Sequence, residues 1–142
     1  SIALPKLQKA NMNGVMGSVM TQFWAPDLDT PQNKKFVSGF KKKYGRYPSF
    51  YAAQSYDTIF LIKSAVEAVK GDLSNKDGMR AAMEKANFPS VRGKFSYGNN
   101  HFPIQNFYSR EVVKDSDGVW TTSVREVVLK NHQDTYAKDC SM

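Results

Sequence analysis

Hydrophobic and polar positions change rhythm along this chain, and each change marks an element. Residues 14–24, GVMGSVMTQFW, pack apolar and β-branched positions densely between small residues, which predicts a buried strand running into a loop. APDLDTPQ follows, a loop ending at a helix start. Thr30 is suited to the N-cap and Pro31 to the first helical position, where a missing N–H costs nothing. Phe36, Val37, Phe40 and Tyr44 recur at helical spacing, the lysines fall opposite, and Gly45 ends the helix. A second helix opens at Pro48–Ser49 and runs over about 50–70. Its broad apolar stripe through Ala52, Ala53, Tyr56, Ile59, Phe60, Val66 and Val69 predicts a well-buried element ended by Gly71. DLSNKDGMRAAMEKAN predicts a third helix with Ser74 at its N-cap, Asp77 completing a rough capping box, and Met79, Ala82, Met83 and Ala86 facing inward.

After Pro89 the period shortens to two. VRGKFSYG alternates, GNNHFP reads as a turn, and QNFYSREVVKD and GVWTTSVREVVL alternate on either side of DSDG. That is the pattern of a β-hairpin with an Asp-Gly turn. The tail, KNHQDTYAKDCSM, is polar and is expected to run over the surface. The order is therefore strand, three helices, short strand and long hairpin, an α/β chain. A parallel sheet wants repeated strand–helix units, and one strand ahead of three helices is an awkward start. SIALPKLQKANM resembles the last turns of a helix begun upstream, so the chain reads as the later part of something larger.

Composition narrows the function classes. The chain has 142 residues, 41% of them hydrophobic, enough for a core. No apolar run is long enough to span a bilayer, and SIALPKLQKA does not read as a secretory leader, as expected of a mature, processed or truncated chain. The net charge of +7 favours acidic partners. Its densest cluster, Lys41–Lys42–Lys43 with Lys34, Lys35 and Arg46 nearby, falls on the solvent side of a helix. A single cysteine, Cys140, cannot form an internal disulfide, and with two histidines it makes a poor metal set. His101 and His132 lie in no metal-binding or catalytic pattern, and no nucleophile elbow, phosphate loop or dinucleotide fingerprint occurs. No catalytic residue, metal or cofactor is expected. KKKYGRYPSFY has the composition of a nucleic-acid stacking surface. Its helical phase, though, sends Tyr44 and the lysines to opposite sides. A stand-alone basic interaction or nucleic-acid module remains the alternative to a small-molecule pocket. For that pocket, Gln22, Phe23 and Trp24 stand where a strand leaves into a loop, a position that faces a cleft in α/β folds.

Three features in fixed order carry a resemblance. A helix ending in K-x-Y-G precedes a P-x-x-Y-A-A-x-x-Y-D helix; a short helix leads to G-x-F-x-Y; and a long hairpin turns at D-x-D-G. Together they resemble the C-terminal part of type I periplasmic binding proteins. The subgroup is that of ABC transporter substrate-binding proteins for branched-chain amino acids, amides and aromatic acids. GNNHF departs from the subgroup's usual turn. The resemblance implies a two-lobed, venus-flytrap receptor in the periplasm that presents a solute to a membrane permease. It implies that residues 1–24 end the second lobe, 25–90 supply helices of the first, and 91–142 cross back to form the second-lobe hairpin and tail. It also implies an upstream disulfide partner for Cys140 and a leader in sequence not present here. Tyr44, Tyr47 and Phe50 are then expected to seal the joint between two helices, and Tyr56 with Asp57 to be structural. The ligand-facing set is Asn13, Gln22, Phe23, Trp24 and Tyr51.

Strands and helix faces that would pair with a missing half are left to find other partners. Self-association is therefore expected, with segment exchange between two copies as one route. Light scattering at high protein concentration should report a dimer; a clean monomer contradicts the expectation.

Overall fold

The computed structural model describes residues 3–141. Helix α1 (Leu4–Lys9), a turn of 3-10 helix (Asn13–Val15) and strand β1 (Val19–Gln22) come first. Helices α2 (Pro31–Tyr44), α3 (Phe50–Ala68) and α4 (Lys76–Lys85) follow. Strands β2 (Ser96–Tyr97), β3 (Pro103–Lys114) and β4 (Trp120–His132) and a 3-10 turn (Ala137–Asp139) complete the order. Ser1, Ile2 and Met142 lie outside the described residues, so the upstream helix expected from SIALPKLQKANM is seen only from Ala3 onward.

The helix ends have local causes. Thr30 caps α2 by accepting the N–H of Asn33 at 3.1 Å, with Pro31 at the first helical position. Gly45 closes α2 with φ +66°, a left-handed conformation that glycine adopts without a Cβ penalty. Ser49 caps α3 through the N–H of Ala52. The cap of α4 is Asn75, which accepts the N–H of Gly78. Ser74, the residue expected there, instead bonds Asp72 through both its hydroxyl and its N–H.

All strand pairing is antiparallel and β3 is central. Strand β4 runs along one edge of β3; β1 and β2 share the other edge at opposite ends, β1 against Tyr108–Glu111 and β2 against Pro103–Ile104. The hairpin turn is built by Asp115. Its Oδ1 accepts the N–H groups of Asp117 and Val119 at 3.0 and 2.8 Å, and Gly118 supplies the positive φ of +75°. The first strand is shorter than 14–24 because Asn13–Val15 coil, and VRGKFSYG contributes only two strand residues.

Two apolar clusters form. The larger joins Trp24, Ala25, Leu28, Phe36, Val37, Ala53, Val91 and Tyr108, between α2, α3 and the middle of β3. The smaller joins Leu4, Val112 and Trp120 beneath α1 and the far end of the hairpin. Helix α3 is less covered than its broad apolar stripe predicts: only Ala53, Asp57 and Ala65 are buried, while Ile59 and Ile62 are exposed. Tyr44 is also exposed, beneath the Lys43 ammonium at 5.3 Å, so tyrosine and lysine share a side of α2 there.

The link between β1 and α2 is held by Asn33, which has no solvent exposure. Its Nδ2 donates to the carbonyls of Ala25, Pro26 and Leu28, and its Oδ1 accepts the indole N–H of Trp24 at 2.7 Å. Replacing it leaves buried groups unpaired, each costing about 1–3 kcal/mol. Asn33→Ala should therefore lower unfolding stability by about 2–4 kcal/mol in urea titrations followed by tryptophan fluorescence. A change below about 0.5 kcal/mol, the range of an ordinary surface substitution, contradicts this role.

Candidate functional site

Asp57 lies on the buried side of α3, 1% exposed. An ionised carboxylate stays in such a place only if its lone pairs are satisfied. Three donors do this from one short segment: Ser90 Oγ at 2.6 Å, the Val91 N–H at 2.9 Å and Arg92 Nε at 3.0 Å. Arg92 in turn donates from Nη1 to Gln105 Oε1 at 3.0 Å. The guanidinium is thus tied to α3 on one side and to β3 on the other.

Aromatic rings surround it. The guanidinium carbon lies 4.0 Å from the centre of the Phe95 ring and 5.7 Å from that of Phe23. Phe23 meets Phe50 edge-on at 6.1 Å, and Phe50 lies 4.0 Å from Tyr51. The end of β1, the start of α3 and the segment after α4 thereby converge on one face of rings around a fixed cation. Such a face suits a flat apolar body carrying a polar group.

Four of the five residues expected to face a ligand belong to this neighbourhood, in different ways. Phe23 is half-buried within the ring cluster, and Tyr51 is exposed at its margin. Gln22 is half-buried and its Oε1 accepts the N–H of Phe23 at 3.1 Å, which fixes the chain as it leaves the strand. Trp24 is 1% exposed with its indole N–H committed to Asn33, so its ring packs the core. Asn13 is exposed in the 3-10 turn, where its Nδ2 bonds the carbonyl of Asn11; it joins none of the others. Arg92, Gln105 and Phe95 were not expected. Arg92 follows Asp57 by 35 residues, and no local spacing announces the pair. The proline and glycine around SVRG mark the segment as irregular chain, the one signal that draws the eye there.

A concavity of about 470 Å³ lies between α2 and the hairpin. Its charges are engaged across the gap. Tyr47 donates its hydroxyl to Asp115 Oδ2 at 2.8 Å, and Lys41 stands 3.6 Å from the same oxygen and 4.2 Å over the Tyr47 ring. Burial pushes the Asp115 carboxyl up. The Tyr47 hydroxyl, the N–H groups of Val119 and Asp117 and the Lys41 charge outweigh this and hold it below the usual carboxylate range. Burial raises the Tyr47 phenol in turn. On the other side, Asp27 accepts Ser123 Oγ at 2.6 Å and the N–H of Val124 at 3.0 Å. These contacts tie the two walls to each other. Among the described residues no group of three or more His, Cys, Asp or Glu side chains is arranged to hold a metal, and no helix is long and apolar enough to cross a membrane.

Known proteins share this fold. A family model described as periplasmic binding protein matches residues 1–118. Over 110 residues the chain is 34% identical to the Leu/Ile/Val-binding protein homolog 6 of Brucella abortus, spanning 74% of this chain and 27% of that protein. The fold matches an ABC transporter solute binding protein of R. palustris, solved in complex with benzoate, with a TM-score of 0.81 and 30% identity over 96% of this chain and 36% of that one. It also matches a solute binding protein of Rhodopseudomonas palustris HaA2, solved in complex with p-hydroxybenzoic acid. There the TM-score is 0.74, with 29% identity over 94% of this chain and 35% of that one. The chain spans roughly a quarter to a third of the length of these relatives.

Proposed function

The chain belongs to the periplasmic binding protein family, and from that premise we propose that it takes part in capturing a small organic solute for an ABC importer. The solute class is an amino acid, an amide or an aromatic acid, the permease in the membrane is the receiving partner, and the working compartment is the periplasm. The observation that carries the reading is the ring cluster around a fixed guanidinium, assembled in a chain 30% identical to a solute binding protein solved with benzoate.

The two apolar clusters support a division between lobes. Residues 25–90 would contribute helices to one lobe; residues 1–24 and 91–142 would complete the other. The larger cluster sits under α2 and α3, and the smaller one under α1 and the hairpin. Strand β3 runs past both, and Trp24–Ala25 and Val91 mark where the chain would cross. Gln22, Phe23 and Tyr51 then stand near a cleft whose other wall lies in sequence beyond these residues. Trp24 serves that cleft by fixing the crossing, and Asn13 would reach a solute only from the margin.

A solute that binds the folded form alone raises the unfolding temperature, by an amount that grows with its concentration over Kd. Thermal unfolding of the full chain as encoded should shift upward with at least one member of a panel of amino acids, amides and aromatic carboxylates. No shift across the panel, together with DNA or RNA binding that weakens steeply with salt, would replace this function with the basic-surface alternative.

A further inference from the structure

The Arg92 face selects among solute classes by what its charged groups have left to offer. Asp57, the carboxylate at this face, already accepts three hydrogen bonds, one of them from Arg92 itself. Buried at 1% exposure and paired with Arg92, it presents no open face to the ammonium of an amino acid. Arg92 differs. Its Nε and one N–H of Nη1 are committed, to Asp57 and Gln105, while Nη2 has no hydrogen-bond partner among the described residues. Only the Nε of Arg110 is both sealed from solvent and unpartnered among the described side chains, so Nη2 of Arg92 keeps some contact with solvent within a side chain that is 9% exposed.

A guanidinium fixed at two of its three nitrogens is preorganised for a planar anion at the third. Phe95 covers one part of it, and the Phe23–Phe50 pair extends an apolar wall away from it. Resting on the solute-capture reading above, we propose that this face binds an aromatic monocarboxylate. Its carboxylate meets Nη2 of Arg92, and its ring lies against Phe23 and Phe50. Zwitterionic amino acids are disfavoured because their ammonium finds no unengaged carboxylate here. Neutral amides are disfavoured because their carbonyl can still accept from the guanidinium but forms no ion pair with it.

Isothermal titration of the full chain as encoded, with benzoate, benzamide and L-leucine as probes, tests this. Benzoate should bind, with benzamide weaker by about 10-fold or more, because its carbonyl keeps one hydrogen bond to the guanidinium but lacks the carboxylate's charge and second acceptor oxygen. Arg92→Lys, which keeps the charge beside Asp57 but not the planar fork, should weaken benzoate by about 10-fold or more with unchanged circular dichroism. Where that variant does not fold, the benzoate–benzamide ratio on the unaltered chain decides alone. Equal affinity for benzoate and benzamide overturns the role of Arg92. Leucine binding in preference to benzoate overturns the solute class while leaving solute capture standing. No binding by any of the three overturns this proposal, and the panel above then decides whether solute capture falls with it.

Discussion

The arrangement of the candidate site depends on one buried carboxylate. Asp57 accepts the Ser90 hydroxyl, the Val91 N–H and the Arg92 Nε within 3.0 Å, and so fastens the segment after α4 to the inner side of α3. A buried pair of this kind is weak evidence of net stability, since desolvation of both charges offsets their attraction. Breaking it is another matter: removing one partner strands the other at a cost of about 3–5 kcal/mol. The pair therefore works as a positional constraint. It sets where Arg92 stands, and so where the guanidinium meets the rings of Phe23 and Phe95.

Asn33 does for the chain between β1 and α2 what Asp57 does for the segment after α4. One amide holds three backbone carbonyls and an indole, so the irregular chain from Trp24 to Leu28 has its polar groups paired although it is buried. Strand β3 passes between these anchor points and carries Gln105 at one end and Val112 at the other. A third polar contact, from Tyr47 to Asp115, ties the start of α3 to the hairpin turn. Polar groups thus fix the geometry between the two apolar clusters, while apolar burial supplies the cohesion within each.

Much of this was legible in the sequence wherever the cause is local. The Thr30 and Ser49 caps, the Gly45 stop and the DSDG turn need only neighbouring residues, and each stands where the pattern put it. Errors came where tertiary context decides. Tyr44 continues the phase of Phe36 and Phe40, yet it is the last residue of α2 and stands exposed. Helix α3 is apolar on most sides, and periodicity cannot say which sides the chain itself covers. Asn75 displaced Ser74 because Asp72 bonds the serine first. At the site, Gln22, Phe23 and Trp24 were singled out as one stretch. Alternation along the exit from β1 parts them, sending the indole into the core and the Phe23 ring toward Arg92. Arg92 itself was missed because its meaning lies in a partner 35 residues earlier.

The account stands or falls on whether the face built around Asp57 and Arg92 meets the solute. The most direct measurement is a crystal structure of the full chain as encoded with benzoate bound. The account predicts a carboxylate oxygen within hydrogen-bonding distance of Arg92 Nη2 and the benzoate ring against Phe23 and Phe50. Benzoate held elsewhere, with Nη2 of Arg92 still facing solvent or bonded to another part of the chain, would contradict it.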